Sequence, residues 1–278
     1  MYYYIVDPQQ QSQRSFERVQ RQLYSSLSDY RVGGEMVRIT GLRPMGQLVE
    51  SALAKQVKTL VAIGNDETLH ELINLVRGHD IVIGYIPLRP SELATYLGLP
   101  SIDTASKSIA MRRTALIDVG AVNDYLFLSR LSFGLNRQDD SFNALTLLFR
   151  FLKGIFEVRN FEIKLLVDNS YQINNPLMSG TVINSRIGKG INPADGKLDL
   201  ALIPPMSRYK IYKYRKLIAQ GLYEQIPGSS FLHIRKLEIL GPEGLPLAVG
   251  NKIVAKAPAT IEIIPQAVRM IVGKDRIF

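Results

Sequence analysis

Two patterns of hydrophobic residues divide this sequence and constrain its fold more than any other feature. In the first half, short apolar runs alternate with segments whose apolar residues recur every three or four positions. The clearest such segment starts at Thr68, where Leu69, Leu72, Ile73 and Val76 fall at i, i+3, i+4 and i+7, as in an amphipathic helix. Strands that alternate with helices indicate βαβ units and a mainly parallel sheet.

The second half is richer in β-type runs separated by Asn, Asp, Gly and Pro, which favours a β-sandwich-like domain. The change of pattern near Asn123 and Asp124 predicts a boundary between two domains, in line with about 150 residues per domain. The predicted strands of the first half are Tyr2–Val6, Met36–Thr40, Thr59–Ile63 and Ile81–Ile86, and its other predicted helices are Ser15–Leu27 and Gln47–Ala54. The predicted strands of the second half are Tyr125–Phe133, Phe161–Val167, Leu177–Ile183, Leu198–Ile203, Phe231–Leu240, Ile253–Ala255 and Thr260–Ile264, with helices at Ser141–Phe156 and Arg208–Gly221.

Composition narrows the possible functions. The chain has no cysteine, which excludes disulfides, thiolate metal sites and a cysteine nucleophile. No segment approaches the roughly 18 uncharged apolar residues of a membrane span, and no secretory signal pattern is visible, so we expect a cytoplasmic protein. The net charge of +9 favours attraction to polyanions such as nucleotides, anionic lipid surfaces or nucleic acid, or serves solubility alone.

Three segments together resemble one family, the diacylglycerol kinases and sphingosine kinases, which share a superfamily with the NAD kinases. Val61–Val76 reads VAIGNDETLHELINLV, where the family has a strand, a Gly-Gly-Asp-Gly-Thr turn and a helix. Ile83–Pro100 is similar to the family's Ile-Pro-Leu-Gly-Thr-x-Asn-Asp stretch, with Pro87 and Leu88 in place. Ile191–Ile203 resembles the family's Asp-Gly-x-Leu-Asp element.

The order of these segments is that of the family, and similar stretches near both ends extend the resemblance over nearly the whole chain. It implies an N-terminal α/β three-layer nucleotide-binding domain of the NAD kinase and diacylglycerol kinase type over residues 1–123, to which a tail of about residues 266–278 returns. It implies a C-terminal β-sandwich-like lipid-kinase domain over residues 124–265. An active kinase of this family would use ATP and Mg²⁺, and an inactive one could use no cofactor.

The turn residues that the resemblance assigns to nucleotide binding are Gly64, Asn65, Asp66, Glu67 and Thr68, with Asp66 as the catalytic candidate. Asn65 replaces a glycine, and we expect it to accept a left-handed conformation. Glu67 puts a negative charge where a phosphate should lie, and like charges ~4 Å apart repel by about 1 to 4 kcal/mol. Nucleotide binding would then weaken roughly tenfold to a thousandfold, unless Mg²⁺ reduces the repulsion or Glu67 points outward.

Two further family elements are altered. Arg89 and Ser91 stand where the family has Gly-Thr and Asn-Asp. Arg89 could pair with a phosphate or with Glu67, and Ser91 could bind nucleotide or cap the following helix. The family's Asp-Gly-Glu, which supplies the general base, aligns with Val249, Gly250 and Asn251, and neither flanking side chain can act as a carboxylate base. A shifted alignment would leave Glu243 as a candidate.

Two other sets of residues remain open to two interpretations. Asp195 and Asp199 match acidic residues that help place Mg²⁺ in the family, but an Asp-Gly turn entering a strand has the same pattern. The basic cluster Arg208, Lys210, Lys213, Arg215 and Lys216 interleaves with tyrosines. It is typical of an anionic membrane surface site, less so of a nucleic-acid contact, and also of a solvated helix face.

The altered motifs together predict a divergent lipid-kinase-like protein with weak or no phosphotransfer. It would bind a lipid, a nucleotide or a protein partner in the inherited interdomain cleft. The alternatives are an active ATP-dependent lipid kinase with an altered phosphate loop, and a peripheral membrane or nucleic-acid binding protein that uses the basic segment. We expect a cytoplasmic location, with peripheral attachment to the inner face of the membrane if the basic segment binds lipid. The oligomeric state stays open.

Overall fold

The computed structural model describes residues 2–8, 13–134, 160–184, 196–220 and 222–278, and these form two compact units. Unit 1 contains the described residues up to Val119 together with Ile264–Phe278. Unit 2 contains the described residues from Gly120 to Ile263. The chain passes from unit 1 into unit 2 within one strand and returns within another.

Unit 1 is built on a parallel sheet. Its strands are β1 (Tyr2–Val6), β2 (Gly34–Arg38), β3 (Thr59–Gly64) and β4 (Val82–Pro87), in the spatial order β2-β1-β3-β4. The last strand of the chain continues this sheet, because its residue Met270 pairs in parallel with Ile83 of β4. The helices of unit 1 are α1 (Gln13–Asp29), α2 (Met45–Ala54), α3 (Asp66–Leu75), α4 (Glu92–Tyr96) and α5 (Ile102–Met111).

The parallel sheet follows from the uninterrupted apolar runs of the sequence. All five residues of β1 are buried, as are five of the six residues of β3 and of β4, which is expected of strands covered on both faces. The parallel α/β prediction is therefore confirmed. β1 pairs with both β2 and β3, so the strand order reverses between β1 and β3. In open α/β sheets ligands bind beyond the carboxyl ends of the strands at such a switch point.

Unit 2 consists of antiparallel strands in two sheets. In chain order the strands are β5 (Thr114–Val122, which enters from unit 1), β6 (Tyr125–Phe127), β7 (Arg130–Phe133), β8 (Phe161–Val167), β9 (Tyr171–Leu177), β10 (Ser179–Ile183), β11 (Leu198–Ile203), β12 (Ser230–Ile234), β13 (Lys236–Gly241), β14 (Pro246–Val249), β15 (Lys252–Lys256) and β16 (Ala259–Ile271, which returns to unit 1). One sheet has the order β12-β11-β10-β7-β14-β15, and the other contains β9, β8, β13 and the first part of β16.

The two sheets of unit 2 share one hydrophobic core. In β8 the residues Ile163, Leu165 and Val167 alternate with less buried ones, which directs them to one face. They join a single buried cluster with Leu200 of the six-stranded sheet and Leu247 of the same sheet. Side chains from the inner faces of two sheets that meet in one core define a sandwich, which confirms the predicted fold class.

A second, smaller cluster covers the outer face of the six-stranded sheet. Strands β10 and β11 are buried at every position, because α6 (Arg208–Lys213), α7 (Arg215–Gln220) and a 3₁₀ turn at Tyr223–Gln225 lie over them. The prediction of one helix over Arg208–Gly221 was wrong, since the helix breaks at Tyr214. Gly221 lies outside the described residues.

The predicted strand Phe231–Leu240 was also wrong as a single element, because β12 and β13 belong to different sheets. The bend between them is held by Asp168, whose Oδ1 accepts from the backbone N–H groups of Arg235 (2.9 Å) and Lys236 (2.8 Å). The sequence pattern likewise missed β9 and α5. The predicted helix Ser141–Phe156 falls outside the described residues. No helix in the part of the chain that the structure describes is long and apolar enough to cross a membrane.

Candidate functional site

The turn between β3 and α3 lies at the switch point of the unit 1 sheet. Asn65 is the N-cap of α3, and its side-chain oxygen accepts from the Thr68 N–H at 2.9 Å, while the Asn65 N–H donates to the Thr68 hydroxyl at 3.3 Å. This reciprocal pair is a capping box. The Asn65 backbone is extended, with φ of −101°, so the expected left-handed conformation was wrong. An N-cap requires the β region instead.

The buried Thr68 packs directly against Gly64. Its side chain is 1% exposed, and its hydroxyl lies 2.9 Å from Oδ2 of Asp7, at the end of β1, and 2.9 Å from Oδ1 of Asn65. A Cβ on Gly64 would lie 2.8 Å from the Thr68 Cβ. Gly64 is therefore required here by contact with the chain's own threonine.

Asp66, the first residue of α3, is held by two hydroxyl groups. Its Oδ1 accepts from the Tyr85 hydroxyl at 2.9 Å and from the Ser91 hydroxyl at 2.7 Å. Burial, followed by the negative charge of Asp66, raises the pKa of Tyr85 well above its usual value, so this hydroxyl stays protonated and donates. The network connects the start of α3 to β4 and to the start of α4.

Ser91 is the N-cap of α4, as one of its two interpretations predicted. Its oxygen accepts from the Ala94 N–H at 2.9 Å while its proton goes to Asp66. Arg89, two residues before Ser91 and two after the end of β4, is exposed. The structure therefore brings Ser91 and the Gly64–Thr68 turn into one network, in which Ser91 both caps a helix and positions the catalytic candidate.

The start of α3 carries its own negative charge. Asp66 and Glu67 occupy the first turn of the helix, and both are partly buried. Carboxylates at this end of a helix interact favourably with its dipole, as a bound anion does. The Asn65 cap and the two carboxylates thus lie together at the start of α3. A cation would be accepted better by such carboxylates.

The buried face of α3 contains a histidine. His70 is 2% exposed, and burial lowers its pKa to about 4. Asn74 donates to the His70 carbonyl oxygen at 2.8 Å. His70 is therefore a neutral core residue at physiological pH, and its role is to pack α3 against the sheet.

A pocket lies beside the closed turn, within unit 1. It is an open groove with a cavity volume of about 80 Å³, between α1 and the carboxyl ends of β1 and β2. Its walls include Val6, Phe16, Leu23 and Leu88, and the guanidinium of Arg38 stands 4.8 Å from the centre of the Phe16 ring. Leu88 also connects the pocket to the turn, because its N–H donates to the Gly64 carbonyl oxygen at 2.9 Å. At this volume the groove is smaller than the roughly 300–1,000 Å³ of typical small-ligand sites.

The place expected to hold the general base is a tight hairpin in unit 2. Val249 pairs with Lys252 across β14 and β15, which leaves Gly250 and Asn251 as the two-residue loop. Gly250 has φ of 59°, a conformation that glycine adopts without strain, and Val249 is buried. Glu243 lies before β14, at the end of that strand opposite the hairpin, and is exposed. The hairpin residues supply no carboxylate.

Of the two aspartates that the resemblance assigns to Mg²⁺, Asp195 and Asp199, the structure describes only one. Asp195 lies outside the described residues, whereas Asp199 in β11 is 5% exposed and its Oδ1 lies 2.5 Å from Nδ1 of His233 on the neighbouring strand. Within the described ranges, no group of three or more His, Asp or Glu side chains could hold a metal ion. The predicted role of Asp195 and Asp199 at Mg²⁺ stays a prediction.

The basic segment forms one side of α6 and α7. Ile211 is buried, and Tyr214, Leu217 and Ile218 pack against the same outer cluster. On the other side, Tyr209 and Tyr212 are 73% and 44% exposed. Lys210, Lys213 and Lys216 are exposed as well. Arg208 begins α6 and Arg215 begins α7.

The part of the chain that contains this site is similar to a known protein family. The family model of the diacylglycerol kinase catalytic domain matches residues 2–122, which include β1 to β4 and the complete Gly64–Ser91 network. This stretch is similar to the diacylglycerol kinase catalytic domain. The predicted resemblance is thereby confirmed, and residues 2–122 are called the diacylglycerol-kinase-like region below.

Relatives extend the similarity beyond that region. A protein of Staphylococcus aureus (strain JH9) named "Putative lipid kinase" is 26% identical over 249 residues, covering 80% of this chain and 79% of that protein. A diacylglycerol kinase structure from Bacillus anthracis matches with a TM-score of 0.76 at 18% identity, covering 98% of this chain and 97% of that one. An NAD kinase from Archaeoglobus fulgidus in complex with ATP matches with a TM-score of 0.57 at 14% identity, covering 99% and 95%. The two structures share the fold of this chain.

Sequence reasoning missed two members of the network, Asp7 and Tyr85. Both come at or near the carboxyl end of a predicted strand, and such ends meet at the same edge of a parallel sheet. Asp7 follows β1 directly, and Tyr85 is the fourth residue of β4. The position of Asp7 was therefore a usable signal. The buried hydroxyl of Tyr85 was not, because tyrosines occur throughout β-rich runs.

Proposed function

We propose that this chain is a diacylglycerol-kinase-like protein in which phosphotransfer is weak or lost, and which acts by binding a lipid, a nucleotide or a protein partner. The observation that carries the proposal is the closed start of α3. Asn65 and Glu67 replace two glycines of the family turn: Asn65 caps the helix, and Glu67 adds a second carboxylate next to Asp66. These groups satisfy the helix end from within the chain, whereas ATP needs open N–H groups and positive potential there.

The hairpin at Gly250 supports the same proposal from a second position. If the family alignment applies, deprotonation of a lipid hydroxyl requires a carboxylate next to Gly250, and Val249 and Asn251 provide none. Losses at the phosphate turn and at the base act on separate requirements of the reaction, namely binding of the donor and activation of the acceptor.

The test is to reopen the turn. The double variant Asn65→Gly, Glu67→Gly recreates a Gly-Gly-Asp-Gly-Thr turn while leaving Asp66 in place. Titration calorimetry with ATP and Mg²⁺ should give a dissociation constant of ~1 mM or weaker for the wild type. The double variant should bind roughly tenfold to a thousandfold more tightly, since one carboxylate charge is removed from the phosphate position.

Two controls make the result specific. Glu243→Gly removes the same charge from an exposed turn of unit 2 and should leave binding unchanged. Adding Asp66→Ala to the double variant should abolish the gain. Micromolar binding by the wild type, together with transfer of phosphate to diacylglycerol in vesicles, contradicts the proposal.

The second candidate is an active ATP-dependent lipid kinase with an altered phosphate loop. It is favoured by one observation, that Asp66 keeps its place in the turn and is held there by the hydroxyl groups of Tyr85 and Ser91. In that case wild-type protein phosphorylates a lipid, and Asp66→Ala removes the activity. An unchanged rate in Asp66→Ala eliminates this candidate.

A further inference from the structure

The outer side of α6 and α7 carries exposed lysines together with exposed tyrosines. From Leu200 to Tyr223 the sequence contains five basic residues and no acidic one. Lys210, Lys213 and Lys216 are exposed, and none of them takes part in an ion pair among the described residues. The positive charge of this side is therefore not neutralised by the part of the chain that the structure describes.

The tyrosines on this side are placed for contact with a partner. Most buried tyrosines of the chain belong to unit 1. By contrast, Tyr209 and Tyr212 on α6 are 73% and 44% exposed. Because they are three residues apart on the helix, they share one face. The guanidinium of Arg215 lies 4.1 Å from the Tyr212 ring centre and donates to the Tyr212 carbonyl oxygen at 2.9 Å. This contact holds the ring and the cation side by side.

The opposite side of the same segment is firmly anchored. Ile211 is 3% exposed and packs with Met178, Ala201 and Ile203 on the outer face of the six-stranded sheet. Because this side is fixed, the exposed lysines and tyrosines form a surface on a rigid support. We name the exposed side chains of Tyr209, Lys210, Tyr212, Lys213 and Lys216 the basic–tyrosine face.

We propose that the basic–tyrosine face binds the surface of an anionic lipid bilayer. Lysines attract the negatively charged leaflet, and tyrosines prefer the headgroup level, where their ring is shielded and their hydroxyl is hydrated. The face spans the short helices α6 and α7, and its exposed lysines and tyrosines suit contact with the plane of a bilayer. This inference is independent of whether the diacylglycerol-kinase-like region binds ATP.

The test measures binding of the full chain to phosphatidylcholine vesicles with and without phosphatidylglycerol by co-sedimentation. Binding is expected only with phosphatidylglycerol. The triple variant Lys210→Gln, Lys213→Gln, Lys216→Gln should bind on the order of a hundredfold more weakly, at about fivefold for each cation. The matched control Lys58→Gln, Lys107→Gln, Lys274→Gln removes the same charge from exposed lysines of unit 1 and should bind within about threefold of the wild type.

Two further comparisons complete the test. The variant Tyr209→Ser, Tyr212→Ser should weaken vesicle binding by a factor that persists at high salt, because ring partitioning is not screened. Equal losses in the two triple variants overturn the proposal, since the attraction would then follow net charge alone. Tighter binding to a polynucleotide than to phosphatidylglycerol vesicles at the same salt also overturns it. Circular dichroism and melting temperature confirm that each variant is folded.

Discussion

Helices α3 and α6 begin with the same type of cap but present opposite charges beyond it. In α3 the Asn65 side chain accepts from the third helical N–H at 2.9 Å, and in α6 the Ser207 hydroxyl does so at 3.4 Å. The first turn of α3 then carries two carboxylates, whereas α6 carries no acidic residue. The comparison teaches that a capped helix start is not by itself a binding site, because the side chains of the next turn decide which charge it accepts.

The two helices also differ in how much of their stability depends on packing. α3 buries five residues, Thr68, Leu69, His70, Leu72 and Ile73, while Ile211 is the buried residue of α6 among those whose side chains are described. Changes at the start of α3 should therefore alter the free energy of unfolding, and changes on α6 should alter surface contacts instead. The following predictions test that contrast.

The largest effect is expected for Gly64→Ala. The added methyl group would lie 2.8 Å from the Thr68 Cβ and 2.9 Å from its Cγ2, so α3 or β3 must shift. Overpacking of this kind should reduce the free energy of unfolding by about 3 kcal/mol, measured by urea denaturation. Gly33→Ala is the control, because no atom lies within 4 Å of its added Cβ. Equal losses in both variants would mean that the Thr68 contact is unimportant.

A smaller, pH-dependent effect is expected from His70. Burial holds its pKa at about 4 in the folded chain, whereas an unfolded histidine titrates near 6.5. The unfolded state therefore binds a proton first, so stability is complete above pH 6.5 and is lost as the pH falls towards 4. The loss between pH 7 and pH 5 should be about 2 kcal/mol.

Urea midpoints of the wild type and two variants check the assignment to His70. His70→Gln should remove most of the pH dependence between pH 7 and pH 5, while the exposed His79→Gln should retain it. A wild-type slope that survives in His70→Gln would show that another group titrates in this range.

The smallest effects are expected at the two caps. Asn65→Ala should cost about 1 kcal/mol of unfolding free energy, because it removes the acceptor for a buried helix start. Ser207→Ala should cost only a few tenths of a kcal/mol, since its bond is longer and exposed. Thermal melts of both variants measure the difference. A larger loss in Ser207→Ala than in Asn65→Ala would reverse the comparison between the helices.

Much of the fold could be predicted from hydrophobic periodicity. Strands β1, β3 and β4 are continuous apolar runs, and the sandwich strands alternate, so their type was visible in the sequence. The prediction fails where one continuous apolar run of the sequence forms two separate strands. Phe231–Leu240 reads as a single strand, but Asp168, far away in the sequence, binds the backbone of Arg235 and Lys236 and bends it. Long-range contacts of this kind leave no local pattern.

The sequence predicted which residues form much of the candidate site, but not how their side chains contact each other. The turn Gly64–Thr68 and the cap at Ser91 were visible from their motifs. The hydrogen bonds from Thr68 to Asp7 and from Tyr85 to Asp66 were not visible, because they depend on which strands are neighbours. Asn65 is an example, because asparagine is compatible with both a left-handed turn and an N-cap, and the residue type alone could not distinguish them. In the structure it is an N-cap.

The return of β16 to the sheet of unit 1 limits how the chain can be divided. The diacylglycerol-kinase-like region ends at residue 122, yet the strand that borders β4 comes from near Met270. A fragment expressed from the first 122 residues alone would leave that side of β4 as an open edge, with backbone N–H and C=O groups exposed. Open edges of apolar strands promote self-association. Work on the first unit alone would therefore require the final strand to be supplied, for example by circular permutation.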